Sequence, residues 1–339
     1  MYHKWLDRWD ERRAQRGEEW KVPTEFTLGS ELAFPGENIT TLPEFCERAE
    51  QAAVDPAFFD RPSDDLEGFE KKDGWIRFPS DITTYVEENN TVWAKITERG
   101  STTHALVVFH HWNARSRNSR LAKFFAKRGI TVVEIAMPYH LERSRSGSHY
   151  ADFMLSANLG RTLQSFRQAV LDGRKLIGFL NSEGYQQISL LGMSLGSWVA
   201  GLIAAHDQTV SKASLFLTAG SLADMVWTGR ATTSIRESLA AAIPLTDLRR
   251  AWTPLNLENH TGCLERQSLK IQVVLAKRDK VVLPEISHTL LHKLTATPAS
   301  TRVLGLNCGH YSLGRPPHVL LAASGLRRFL LPPCGLTRK

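Results

Sequence analysis

The chain changes rhythm near residue 74. Residues 1–70 show no strand-like alternation of apolar and polar positions. Trp5 and Trp9 lie four apart, so a helix there sets both on one face. Arg12, Arg13 and Arg16 follow, with Asp7, Asp10 and Glu11 diluting the basic face. Such a helix either packs on the main domain or serves as a membrane-surface or partner helix, and packing is the simpler reading. A second helix is expected within 42–53. Pro56, Pro62 and the acids Asp64, Asp65 and Glu67 then read as a loop.

From Gly74 on, short apolar runs alternate with amphipathic stretches. Segments 75–79 and 91–97 read as strands joined by a turn at Glu88-Asn89-Asn90. Strands follow at 105–109 (ALVVF), 130–135 (ITVVEI), 188–191 (ISLL), 213–217, 271–275 (IQVVL) and 302–306. Helical periodicity fills 119–128, 159–181, 195–205, 286–294 and 319–331. Continuous apolar strands separated by helices predict an α/β fold, a mostly parallel sheet covered on both faces. Right-handed crossovers set the loops after the strands on one edge, where open α/β sheets bind ligands. Residues 221–262 interrupt the alternation with helical text containing Trp227 and Trp252, and read as a cap inserted over that edge. The expected organisation is a helical extension over 1–70 and one α/β domain over 71–335.

One turn on that edge carries specific chemistry. Gly192-Met193-Ser194-Leu195-Gly196 lies between the strand ISLL and a helix. This is the G-x-S-x-G arrangement in its strand–turn–helix context, in which a sharp turn lifts the serine above the sheet at a helix N-terminus. A serine hydroxyl needs a base to become a nucleophile. Asp279 lies four residues past the strand IQVVL, and His310 follows the strand ending at 306. Ser194, Asp279 and His310 thus share one sheet edge, in the chain order nucleophile, acid, base. Asp224, after the preceding strand, is the rival acid. An oxyanion hole would take one donor from the backbone N–H of Leu195. The other would come from His111 or Trp112, in the loop after ALVVF. His110, Met137, Tyr139, His140 and Trp227 are expected to line the substrate pocket. Trp198 belongs either to that pocket or to the core.

These residues resemble the α/β-hydrolase superfamily, over a stretch from about Trp75 to Leu331. The carriers are FHHWN, MPYH, GMSLG, AKRDKVVLP and CGHY. The proline–tyrosine pair after the fourth strand, here Pro138-Tyr139, is similar to abhydrolase domain-containing proteins. Many members have His-Gly at the oxyanion loop, where this chain has His110-His111. The resemblance implies an α/β-hydrolase fold and a serine hydrolase acting on a carboxylic ester through a Ser-His-Asp triad and an acyl-enzyme. It implies no metal and no organic cofactor. An acyltransferase, a carbon–carbon bond hydrolase and a catalytically silent binding protein remain alternatives, because the fold hosts many activities.

Composition narrows the partners. The formal net charge is +7, but 42 Lys and Arg are interspersed with 35 Asp and Glu, and no nucleic-acid motif stands out. Nucleic acid is not an expected partner. Arg115, Arg117, Arg143 and Arg145 fall on loops of the active edge, with Arg230 and Arg236 in the cap. They read either as a positive rim for an anionic small-molecule ester or as a solvated basic surface, and the solvated surface is the simpler reading. Cys46, Cys263, Cys308 and Cys334 have neither paired nor metal-ligand spacing, and read as free thiols in a reducing, cytoplasmic setting. No apolar run is long enough for a membrane span or a secretory signal.

Overall fold

The computed structural model describes residues 2–61, 65–296 and 298–331. Pro62 and Asp64 of the expected loop, Cys334 and the domain boundary at 335 lie outside the described residues. Among the described residues nine strands form one sheet: β1 Glu70–Lys72, β2 Trp75–Pro79, β3 Thr91–Thr97, β4 His104–Phe109, β5 Thr131–Ile135, β6 Gln187–Met193, β7 Val210–Phe216, β8 Lys270–Ala276 and β9 Ser300–Leu306. Their spatial order is β1-β2-β3-β5-β4-β6-β7-β8-β9. The first three strands pair antiparallel, as does β3 with β5, and every pairing from β5 through β9 is parallel.

The parallel strands are apolar throughout because both faces are covered. In β4, Leu106 and Val108 face one core cluster, and Val107 and Phe109 face the other, as strand alternation requires. Helices Ser119–Ala126 and His318–Leu330 cover the first face, and Leu159–Ser182, Leu195–His206 and Pro284–Thr295 the second. Trp198 is fully buried and belongs to the core. The cysteines Cys46, Cys263 and Cys308 are free. Among the described residues no helix is long and apolar enough to cross a membrane.

The order of connections creates the site. From β4 the chain crosses to β5 on one side, then returns across β4 to β6 on the other. The carboxyl ends of β4 and β6 flank this reversal, where the diverging loops leave a crevice. The loop after β4 carries His110–Asn113, and the turn after β6 carries Ser194. Between β7 and β8 lie helices Leu222–Thr228, Thr233–Ala240 and Leu245–Ala251, with short 3-10 turns after them.

The region before residue 70 is helical, with Tyr2–Glu18, Ser30–Ala33 and Leu42–Val54. Helix Leu42–Val54 starts on a capping box: the Thr41 side chain accepts from Glu44 N–H, and the Glu44 carboxylate accepts from Thr41 N–H. Helix Tyr2–Glu18 buries Leu6, Asp10 and Ala14, spaced four apart. A carboxylate in that buried stripe is unusual.

Candidate active site

The turn after β6 is held by steric necessity. Ser194 has φ 52° and ψ −122°, a conformation that L-residues rarely adopt. Its N–H donates to Phe216 O at 2.8 Å, and its carbonyl accepts from Ser197 N–H at 2.8 Å. A Cβ on Gly192 would lie 2.4 Å from Gly196 O, and one on Gly196 would lie 2.4 Å from both Phe109 O and His110 O. Both contacts are with backbone, which cannot step aside, so glycine is required at both positions. Ser194 caps helix Leu195–His206, and the N–H of Leu195, in the first turn, has no acceptor within the helix. The positive end of that helix points at the serine oxygen.

Asp279 and His310 converge on Ser194. His310 Nε2 lies 3.0 Å from Ser194 Oγ, and His310 Nδ1 lies 2.8 Å from Asp279 Oδ2. The other carboxylate oxygen of Asp279 accepts from the N–H groups of Val281 and Val282 at 2.8 and 2.9 Å. The Asp279 carboxylate is therefore oriented from behind while it faces the imidazole. The loops bearing the acid and the histidine are themselves joined: Lys277 N–H donates to Leu306 O, and Arg278 N–H to Cys308 O. Asp224, the rival acid, is engaged by Arg249 through both carboxylate oxygens.

Other residues expected at the site have different work. His110 and His140 are buried, and each imidazole uses both nitrogens on backbone. His110 Nδ1 donates to His111 O at 2.9 Å, and its Nε2 accepts from Met137 N–H at 3.1 Å. His140 Nδ1 donates to Pro138 O at 2.8 Å, and its Nε2 accepts from Asn113 N–H at 3.0 Å. The two rings brace the loop after β4 against the loop after β5. Burial holds both imidazoles neutral, with His140 pushed down to about 3 and His110 well below the usual value. Met137 and Tyr139 are likewise almost closed to solvent and sit in the core cluster. All four are buried at the ends of β4 and β5, where the two histidines hold the loops together. Trp227 and Trp112 are half-buried, and Trp112 Nε1 donates to Ala151 O. Strain gathers on this edge: Asn113, Tyr139, Leu141, Ser194 and Leu217 all have positive φ.

The expected positive rim is largely neutralised. Arg143 is fully buried, bonded to Asp172 at 2.8 Å and to the carbonyls of Asn89 and Ala136. Arg117 makes a two-bond fork with Glu142, and Arg145 pairs with Asp152. A charge on a loop is a rim charge only when its partner is water, and here the partners are carboxylates, 25 and 29 positions away for Arg117 and Arg143 and seven for Arg145.

The N-terminal segment is not expected at the site from sequence, yet it touches the loops after β4, β8 and β9 and the segment between β7 and β8. The free space beside His310 is lined by Asp10, Glu11 and Ala14 together with Arg230, Lys280, Val281 and Tyr311. A groove of about 400 Å³ shares Glu11, Ala14 and Arg230 with it. Glu11 pairs with Lys280 at 3.0 Å and with Arg230 at 3.7 Å. Glu18 accepts from Ser234 N–H, and Lys21 Nζ lies 4.0 Å from the centre of the Trp112 ring. The available signal was charge segregation, with Asp7, Asp10 and Glu11 on one helix face and Arg8, Arg12 and Arg16 on the other. Among the described residues no group of three or more His, Cys, Asp or Glu is arranged to hold a metal ion.

The architecture is matched by many solved structures. Acetyl xylan esterase 1 from Thermoanaerobacterium sp. JW/SL YS485 superposes with a TM-score of 0.59 at 14% identity, covering 93% of this chain and 97% of that one. The acetyl xylan esterase from Paenibacillus sp. R4 gives 0.59 at 15% identity, covering 89% and 99%. The fold is that of the α/β-hydrolases. The acylaminoacyl peptidase of Pyrococcus horikoshii also matches at a TM-score of 0.59 and 13% identity, over 79% of this chain, which spans 43% of that longer protein. No protein-family model matches the sequence, and no curated protein matches it.

Proposed function

We propose that the protein is a serine hydrolase that cleaves a carboxylic ester or related acyl bond, with Ser194 as nucleophile, His310 as general base and Asp279 as its orienting acid. The observation that carries the reading is the continuous chain from Ser194 Oγ through both imidazole nitrogens to Asp279 Oδ2, with separations of 3.0 and 2.8 Å. Attack on the substrate carbonyl forms the Ser194 Oγ–carbon bond as His310 Nε2 takes the hydroxyl proton. The same imidazolium then returns that proton to the departing alcohol. Asp279 stabilises the cation and fixes the tautomer with its proton on Nδ1. Water, deprotonated by His310, cleaves the acyl-enzyme and restores Ser194. The Leu195 N–H supplies one oxyanion donor, and the His111 or Trp112 N–H the second. Residues 221–262 act as a cap, since Arg230 borders the space beside His310.

The esterase neighbours support an ester substrate, and the paired state of Arg117, Arg143 and Arg145 favours an uncharged one. Hydrolysis of p-nitrophenyl acetate, butyrate and octanoate tests the reading. The wild type is expected to turn over at least one ester with a burst of one p-nitrophenol per chain. Ser194→Ala should lose at least about a thousandfold in rate. Equal rates in the wild type and Ser194→Ala would contradict it.

A further inference from the structure

The N-terminal helix Tyr2–Glu18 places three carboxylates against the two loops that carry Asp279 and His310. We infer that this helix clamps the site and that Asp10 is the positioning residue for His310, an inference that rests on the Ser194–His310–Asp279 reading. Asp7, Asp10 and Glu11 occupy one helical face at spacings of three and four. Asp7 pairs with Arg278 and Glu11 with Lys280, the two residues that flank Asp279 in sequence. Asp10 lies between them and is 7% exposed.

Asp10 spends both oxygens on the turn that follows His310. Its Oδ1 accepts from Tyr311 N–H at 2.7 Å and from Ser312 N–H at 2.9 Å. Its Oδ2 accepts from the Ser312 hydroxyl at 2.5 Å, and Ser312 Oγ accepts in turn from Gly309 N–H at 2.9 Å. The residues on both sides of His310 are therefore tied, directly or through one hydroxyl, to a single carboxylate. Gly309 is there to admit it: a Cβ at that position would lie 2.5 Å from Asp10 Oδ2. This accounts for the glycine of the CGHY motif, whose φ is not positive and which no turn requires.

The backbone at His310 lacks the strain and steric locking that fix Ser194, so its position depends on this external tie. A carboxylate bonded to several backbone N–H groups in a largely dry site is a strong anchor, because charge-assisted hydrogen bonds exceed neutral ones. Removing it frees three donors and lets the His310 loop drift. A misplacement of about 1 Å at a reacting group can cost on the order of a hundredfold in rate.

The test compares wild type, Asp10→Ala, Asp10→Asn and Ser194→Ala for the rate of labelling by a fluorophosphonate over a range of probe concentrations and pH. Asp10→Ala should lower the maximal labelling rate ten- to a hundredfold while leaving the half-saturating probe concentration unchanged. Asp10→Asn keeps an acceptor for the two N–H groups and should recover most of the rate. Maximal rates in Asp10→Ala equal to wild type would overturn the inference. If Asp10→Ala does not fold, Ser312→Ala removes one bridge alone and should label several-fold more slowly; wild-type labelling of Ser312→Ala would then overturn it. Crystal structures of these variants decide the matter independently of chemistry. The His310 Nε2 to Ser194 Oγ separation should lengthen beyond hydrogen-bond range in Asp10→Ala, or in Ser312→Ala if only that variant folds, and an unchanged 3.0 Å contradicts the clamp. A wild type that is never labelled removes the hydrolase reading instead, and leaves that distance to judge the clamp.

Discussion

The serine and the histidine stand 3.0 Å apart but are held by opposite means. Ser194 sits in a turn specified by a five-residue motif, because Gly192 lets the turn close on itself and Gly196 lets it seat against the end of β4, where any side chain would collide. His310 sits in an unstrained loop whose place is set from outside, by a carboxylate 300 positions earlier in the chain. The first station is local and rigid, and the second is distant and adjustable. A local device can be read from a short motif. A distant one needs both partners, and only the fold brings them together.

Gly196→Ala probes the rigid side and should have the larger effect on stability. The added methyl group meets two carbonyl oxygens at 2.4 Å, so β4 and the helix after Ser194 must separate. A loss of about 3 kcal/mol or more is expected, read as a lower denaturant midpoint in urea. A midpoint equal to wild type would show that the elbow yields more easily than its packing implies. The clamp variants at Asp10 probe the other side, where the labelling rate should fall about ten- to a hundredfold.

A smaller effect belongs to the histidine brace behind the crevice. His140 is neutral in the fold because burial pushes it down to about 3, and His110 follows the same direction. Unfolding exposes both rings to their ordinary value near 6.5, where each takes up a proton. Their folded-state pKa values are lowered, so the stability tied to neutrality is complete above pH 6.5 and is lost as the pH falls toward 3. For His140 alone this amounts to about 2 kcal/mol at pH 5. His140→Gln should therefore flatten the decline of Tm between pH 7 and pH 5. A decline as steep as in the wild type would mean that the ring does not stay neutral.

The sheet was legible because buried parallel strands are apolar on both faces, and runs such as ALVVF and IQVVL leave few other readings. Strands 75–79 and 91–97 match to the residue. Strand β1 escaped notice because Glu70-Lys71-Lys72 is an exposed edge segment with no apolar face. At the site, the elbow and the chain order of its partners led to the residues that the fold gathers. Asp224 stands as the rival to Asp279 in the sequence, and the fold sets it aside because Arg249 occupies its carboxylate. His110 and His140 look like pocket residues because they follow strand ends, and their use as braces depends on backbone N–H donors in the neighbouring loop. Arg143 looked like a rim charge because Asp172, its partner, lies inside the helix Leu159–Ser182. Asp10 looked like surface dilution of a basic helix. Each of these depends on a pairing between segments far apart in the chain, which periodicity and spacing do not encode.

The central claim is that Ser194 is an activated nucleophile. Intact mass of the purified protein after treatment with a fluorophosphonate, beside Ser194→Ala, tests it directly. One adduct on the wild type and none on Ser194→Ala is the predicted result. A folded wild type that gains no mass, or a Ser194→Ala variant that gains as much, would contradict it.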